Sequence, residues 1–141
     1  MKILRLSLNN LASLAGTHVI NFEDEPLAHT GLIAITGKTG AGKSTILDAM
    51  CLALFDQIPR LKSAEGQLQD AGGKSITIKD SSQILRRGTA EGFAEVEFLA
   101  LDQKRYLARW QVRRARRKIN GNLLVDRSVT ALEEGRVLTQ K

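Results

Sequence analysis

The chain has 141 residues, 43% of them hydrophobic, which is enough for one cored domain and too apolar for a disordered chain. It has no apolar run of the ~20 residues needed to cross a bilayer, no signal-peptide core at its N-terminus, and a single cysteine, Cys51, which excludes a disulfide framework or a cysteine-rich zinc site; a cytoplasmic protein with no membrane partner is expected. The net charge is +6, yet eight basic residues and no acidic one fall within 104–118, so the rest of the chain carries −2.

The opening alternates with period two. Leu4, Leu6 and Leu8 share one face and Ile3, Arg5 and Ser7 the other, which predicts a strand weakened at Asn9-Asn10. Gly16 signals a turn, and alternation resumes over 17–22, so a hairpin-like pair is expected. His18, in phase with Ile20 and Phe22, is read as a core or edge histidine, and His29 as a loop residue with no metal-spaced partner. Residues 32–36 are almost wholly apolar, as in a strand covered on both faces.

Next comes Gly37-Lys38-Thr39-Gly40-Ala41-Gly42-Lys43-Ser44, which fits G-x-x-x-x-G-K-[ST], the Walker A phosphate loop. A strand is expected before it and a helix after it. The glycines let the backbone curl with its N–H groups turned inward on a polyphosphate, and the helix beginning near Lys43 adds unpaired donors and a positive dipole end. The predicted nucleotide contacts are Gly37, Lys38, Thr39, Gly40, Ala41, Gly42, Lys43, Ser44 and Thr45. Lys43 is the catalytic candidate, a point charge for the β- and γ-phosphates; Lys38 is expected to offer its backbone N–H. The Ser44 hydroxyl is the candidate Mg²⁺ ligand. ATP and Mg²⁺ are the expected cofactors.

The helix over 45–55 is apolar nearly all round, which predicts burial between two layers, with Cys51 inert inside it and Pro59 as its stop. Asp48 reads as a structural salt-bridge or helix contact. Residues 60–92 are polar and glycine-rich; a short strand over 75–79 and a short serine-capped helix over 81–87 are the only signals. Strand patterns return at 94–101, 105–113, 125–132 and 136–138, with Asn120-Gly121 as a hairpin turn. The whole predicts an α/β fold, a β-rich mixed sheet around one buried P-loop helix.

In 104–118, Tyr106, Ala108, Trp110 and Val112 alternate with Arg105, Arg109 and Arg113, so one face packs and the other presents guanidinium groups. Trp110 reads as core. Arg113, Arg114, Arg116 and Arg117 are the DNA-phosphate candidates, against the alternative of a charged edge that resists aggregation. A complete P-loop ATPase also needs an acidic residue at the end of an apolar strand and a group to orient water. Neither Asp102 nor Glu133-Glu134 stands in that context, so half a site is expected, with the remainder outside this stretch.

"MKILRLSLNNLASLAGTHVINF", "ITGKTGAGKSTILDAMCLALFDQIPRL" and "RRGTAEGFAEVEF" resemble the N-terminal head segment of the SbcC family of SMC-like, ABC-type DNA-repair ATPases, above all in Lys43-Ser44-Thr45-Ile46-Leu47-Asp48-Ala49. The resemblance implies that 1–141 is the Walker A lobe of a split ABC-type head, with the coiled coil and the C-terminal lobe elsewhere. It implies ATP-driven dimerisation of two heads, double-stranded DNA as ligand, and an SbcD-like nuclease as partner. An isolated lobe would be inactive. Relatives carry a basic residue near the end of the first strand region; here that stretch reads Leu11-Ala12-Ser13-Leu14, and no nucleotide contact is assigned to it. A small P-loop kinase and a nucleic-acid-binding module with a vestigial loop remain as alternatives. The hairpins after Gly92 weigh against the first, and intact Lys43 and Ser44 against the second.

Overall fold

A computed structural model describes residues 1–61, 67–69, 75–77, 80–118 and 121–140. The strands are β1 Lys2–Leu11, β2 Leu14–Asn21, β3 Gln67–Gln69, β4 Ser75–Thr77, β5 Glu91–Leu99, β6 Arg105–Arg114, β7 Leu123–Ala131 and β8 Arg136–Gln140. A single α-helix among the described residues, α1, spans Lys43–Phe55. Six strands form one sheet in the order β2-β1-β5-β6-β7-β8, and β3-β4 form a separate ribbon. Every described pairing is antiparallel, where a mixed sheet was expected.

Alternation carries the sheet. Leu4, Leu6 and Leu8 of β1, Ala94 and Val96 of β5, and Ala108, Trp110 and Val112 of β6 are all buried, as period-two patterning requires of one packed face. The helix lies on that face through Ala49 and Leu52, which join Leu6, Leu8, Leu11, Val96 and Trp110 in one core. Trp110 is wholly buried, as the pattern predicted.

The opposite face is a ladder of cross-strand ion pairs. The register sets Glu95 opposite Arg109 and Glu91 opposite Arg113. Arg109 binds Glu95 and lies 4.7 Å above the Phe93 ring; Arg105 binds both Glu97 and Glu23; Arg113 binds Asp126 at 3.1 Å. The guanidinium face expected to stand free is therefore largely matched by carboxylates from the neighbouring strands.

The turns differ from the sequence reading in detail. β1 runs on through Asn9 and Asn10, with a register shift between Asn9 and Leu11, and the reversal falls at Ala12-Ser13, ahead of Gly16. Asn10, at φ 50, accepts the Gly16 N–H on its side chain, local chemistry that an asparagine supplies and a periodicity count overlooks. Asp56, in the left-handed conformation, ends α1 three residues before Pro59. The expected helix at 81–87 is one 3₁₀ turn, Ser81–Ile84, capped by Asp80. The strand expected at 75–79 forms over Ser75–Thr77, residues 78–79 lying outside the described ones, as does Asn120 of the predicted turn.

Two expectations fail together. Residues 32–36 form no strand, and Leu32 is 91% exposed. An isolated strand has no partner for its N–H and C=O groups, and the antiparallel order leaves none beside it among the described residues. The helix is likewise covered on one side only: Leu47 is 54% and Phe55 65% exposed, and Cys51 is half-buried.

Behind the loop, Asp48 is the buried charge of α1. Arg60 meets it with two N–H groups, Nε at 2.9 Å and Nη2 at 2.6 Å from Oδ2, and the carboxylate raises the Arg60 pKa. This matches the expected structural role. Removing the arginine leaves a buried carboxylate short of donors, so Arg60→Ala should lower stability by about 1–3 kcal/mol, read as a fall in the thermal unfolding midpoint.

Candidate functional site, an anion nest at the start of the helix

Three features make residues 37–45 a candidate anion site. Gly40 and Gly42 adopt φ 84 and φ 90, conformations that cost L-residues energy and that glycine adopts freely. At Gly42 a β-carbon would lie 2.7 Å from the Leu14 side chain, so glycine also lets the β1–β2 turn close against the loop. The helix N-terminus has no side-chain cap and no acidic residue in its first turn. The first intrahelical bond runs from the Ile46 N–H to Gly42 O, so the amides of Lys43, Ser44 and Thr45 have no intrahelical acceptor.

The Lys43 ammonium donates to Gly37 O at 2.6 Å and Lys38 O at 2.7 Å, which pins it across the mouth of the loop. Ser44 is exposed on the first turn, whereas the Thr45 side chain is buried, so Thr45 can offer only its amide. Lys38, Thr39, Gly40 and Ala41 are exposed, and the Ala41 N–H closes a turn on Lys38 O at 3.2 Å. The donor set suits a polyphosphate with a divalent cation: uncapped first-turn amides, one ammonium and one hydroxyl.

A neighbouring cleft was missed by the sequence reading. It encloses about 370 Å³ and is lined by Ala12, Gln83, Leu85, Arg86 and Arg87. It shares the Ala12–Leu14 turn with the loop: the Ala12 N–H donates to Ile84 O at 2.7 Å, and the Arg86 guanidinium donates to Ala12 O and Ser13 O. Ala12 sits at φ 46, and Gln83 Nε2 is buried without a hydrogen-bond partner among the described residues. The residues come from segments more than 70 positions apart, and no local pattern links them.

The basic candidates separate. Arg114 is buried and donates to Gly121 O, holding the β6–β7 turn, so it leaves the set of surface contacts. Arg113 is half-exposed but paired with Asp126. Arg116, Arg117 and Lys118 are exposed at the turn, with Arg117 3.9 Å from Glu91. Arg116 and Arg117 both adopt positive φ, at 56 and 53. Trp110 is unavailable for base stacking. His18 is exposed beside Ala15 O, His29 pairs with Glu25, and no metal-binding cluster occurs among the described residues.

The acids set aside on sequence grounds belong to the ends of the sheet. Asp102 accepts from the Tyr106 hydroxyl and the Lys104 N–H, while Glu134 binds Lys104 at 3.0 Å. Hydrogen bonding from Tyr106 lowers the Asp102 pKa, and Lys104 lowers that of Glu134; in return Tyr106 and Lys104 are raised.

The comparisons with known proteins give the family. A family model described as an AAA domain matches residues 5–137. The chain belongs to that family. Its curated relatives narrow the class: it is 53% identical to the SbcC component of the SbcCD nuclease from Rhodobacter capsulatus across 98% of this chain, and 53% identical to the protein of that name from Pseudomonas aeruginosa across 87%. The Clostridium acetobutylicum protein of the same name is 33% identical across 70%. The sequence is thus that of an SbcC N-terminal segment, and it spans 11% and 10% of the length of the first two relatives.

The corner formed by Asp102, Lys104, Tyr106 and Glu134 gives a pH test. The carboxylates, being depressed, stabilise the fold above the ordinary carboxylate range and cease to do so as pH falls through their lowered folded values. The raised lysine and tyrosine contribute below their ordinary values and cease to contribute as pH rises through the folded ones. Tyr106 is the single tyrosine. Its phenolate absorbance should therefore titrate above the usual value of about 10, and Asp102→Asn should bring the midpoint back down.

Proposed function

We propose that this chain is the nucleotide-binding lobe of a split ABC-type ATPase head in an SbcC-type DNA-repair protein. The observation that carries the reading is an uncapped helix N-terminus and curled loop, Gly37 to Ser44, on a lobe whose apolar surface is unfinished. Leu32, Ile33, Ile35, Leu47 and Phe55 lie exposed around that loop and helix. Such a surface supports a second layer supplied by the C-terminal lobe of the same protein, and the chain's share of its relatives' length leaves ample sequence for it.

In this reading the loop amides and Lys43 hold the β- and γ-phosphates of ATP, the Ser44 hydroxyl ligates Mg²⁺, and the cleft beside Ala12 takes the rest of the nucleotide. Bound ATP offers Lys43 phosphate oxygens in place of the carbonyls of Gly37 and Lys38. Asp48, the acid on the helix that follows the loop, is taken by Arg60, so hydrolysis would call for the C-terminal lobe and a second head closing in a dimer. Closure would control an SbcD-like nuclease. The exposed Arg116, Arg117 and Lys118, with Arg113 in competition with Asp126, would meet the phosphates of double-stranded DNA.

Titration of the chain with Mg-ATP should give weak saturable binding that Lys43→Ala removes, with no turnover above background. Binding that is indifferent to Lys43, or turnover by the lobe alone, would contradict the half-site. In a complete head, Arg116→Ala, Arg117→Ala and Lys118→Ala together should flatten the dependence of DNA affinity on salt by about 0.9 logarithmic units per lost phosphate contact. An unchanged slope would remove this turn from the DNA surface.

A further inference from the structure

Asp56 breaks two local rules at once. A residue in the left-handed conformation after a helix is ordinarily glycine or asparagine, and the negative end of the helix dipole disfavours a carboxylate. Asp56 sits there at φ 55, ψ 34, with its N–H bonded to Leu52 O. Local rules are broken where something else depends on the residue.

Its side chain gathers the sheet. Oδ1 accepts from the indole N–H of Trp110 at 2.8 Å, and Oδ2 pairs with Arg127 at 3.0 Å. Trp110 on β6 and Arg127 on β7 lie directly opposite each other in register. The Ser81 hydroxyl, on the 3₁₀ turn that leads into the cleft, lies 3.4 Å from the same Oδ1. The Arg127 pair is partly exposed and worth little alone. The indole is wholly buried, and a buried N–H without an acceptor is costly. One carboxylate thus ties the far end of α1 to two strands and to the 3₁₀ turn that precedes the cleft, while the near end of the same helix carries the proposed anion site.

We propose that Asp56 is a positioning residue for nucleotide binding: through Trp110 and Arg127 it fixes how α1 sits on the sheet, and so where the amides at the other end of the helix point. This rests on the reading of the loop as a nucleotide site. A rigid helix transmits a tilt at one end to a displacement at the other, and misplacements of about 1 Å are enough to weaken a site built from aimed donors. Trp110 is the chain's single tryptophan, so its emission reports on the latch directly.

The test uses the 141-residue chain. Mg-ATP affinity is measured by calorimetry, and Trp110 emission is followed as nucleotide is added, well below the unfolding midpoint of each variant. Asp56→Ala should weaken Mg-ATP binding by about tenfold, and Arg127→Gln by less, since its partly exposed pair is the weaker of the two ties. Arg127→Lys should recover most of the loss, and Asp126→Asn, on the same strand but away from the helix, should leave affinity unchanged. Nucleotide should shift Trp110 emission in the wild type and not in Asp56→Ala, a response that a purely structural tie would not produce. Should Asp56→Ala fail to fold, Arg127→Gln carries the same comparison. Folded variants that bind Mg-ATP as tightly as a wild type that does bind would overturn the latch and leave the loop reading intact. A wild type that binds no better than Lys43→Ala would overturn both.

Discussion

The contact between α1 and the sheet governs the rest of this molecule. Ala49 and Leu52 are buried against β1, β5 and β6, and their neighbours on the sheet are leucine, valine and tryptophan from a hairpin, β5–β6, and from β1, which is adjacent in space and distant in sequence. The loop has little else to define it. It is exposed, it follows a segment without a strand partner, and its geometry comes from glycine conformations, the Leu14 side chain beside Gly42, and the helix it leads into. Backbone amides have no rotamers to adjust, unlike the Lys43 and Ser44 side chains, so the placement of α1 sets where the amides of the loop and first turn point.

Electrostatics divide the lobe. One side of the sheet is closed by pairs that neutralise one another, Arg109 with Glu95, Arg105 with Glu97 and Glu23, Arg113 with Asp126. What the sequence displays as a dense basic run is, in three dimensions, mostly internal balance. The surplus is confined to the β6–β7 turn, where Arg114 is turned inward to hold Gly121 O and its neighbours Arg116 to Lys118 face out. Charge that is concentrated at a protruding tip meets a polyanion with less competition from its own protein than charge spread along a strand.

Much of this was legible in the sequence, for physical reasons. The loop follows from spacing and from the donors it needs, and β1, β5, β6 and β7 from alternation, because half-buried strands write their faces into the chain. The ion-pair ladder was hidden because it depends on register: only when Glu95 is set opposite Arg109 does an alternating row of arginines become a paired one. The cleft was hidden for a similar reason, since Ala12 and Arg86 meet through a long-range hydrogen bond. The failed expectations at 32–36 and on the outer side of α1 are of another kind. Both runs are apolar in sequence, yet Leu32, Leu47 and Phe55 stand exposed, because apolar composition alone does not say which element, if any, covers a segment.

The bare run at 32–36 bears on the proposed nucleotide site. A phosphate loop is held by its two flanks, and here only the downstream flank is anchored. If the loop holds a nucleotide as proposed, part of the binding energy would go into arranging the upstream half, and the chain alone would grip its ligand less well than its own donors allow. Pairing of residues 32–36 with a neighbouring strand would remove that burden before the ligand arrives. Assembly of the head would then act as a built-in safeguard, keeping the site unresponsive until the polypeptide that completes it is in place.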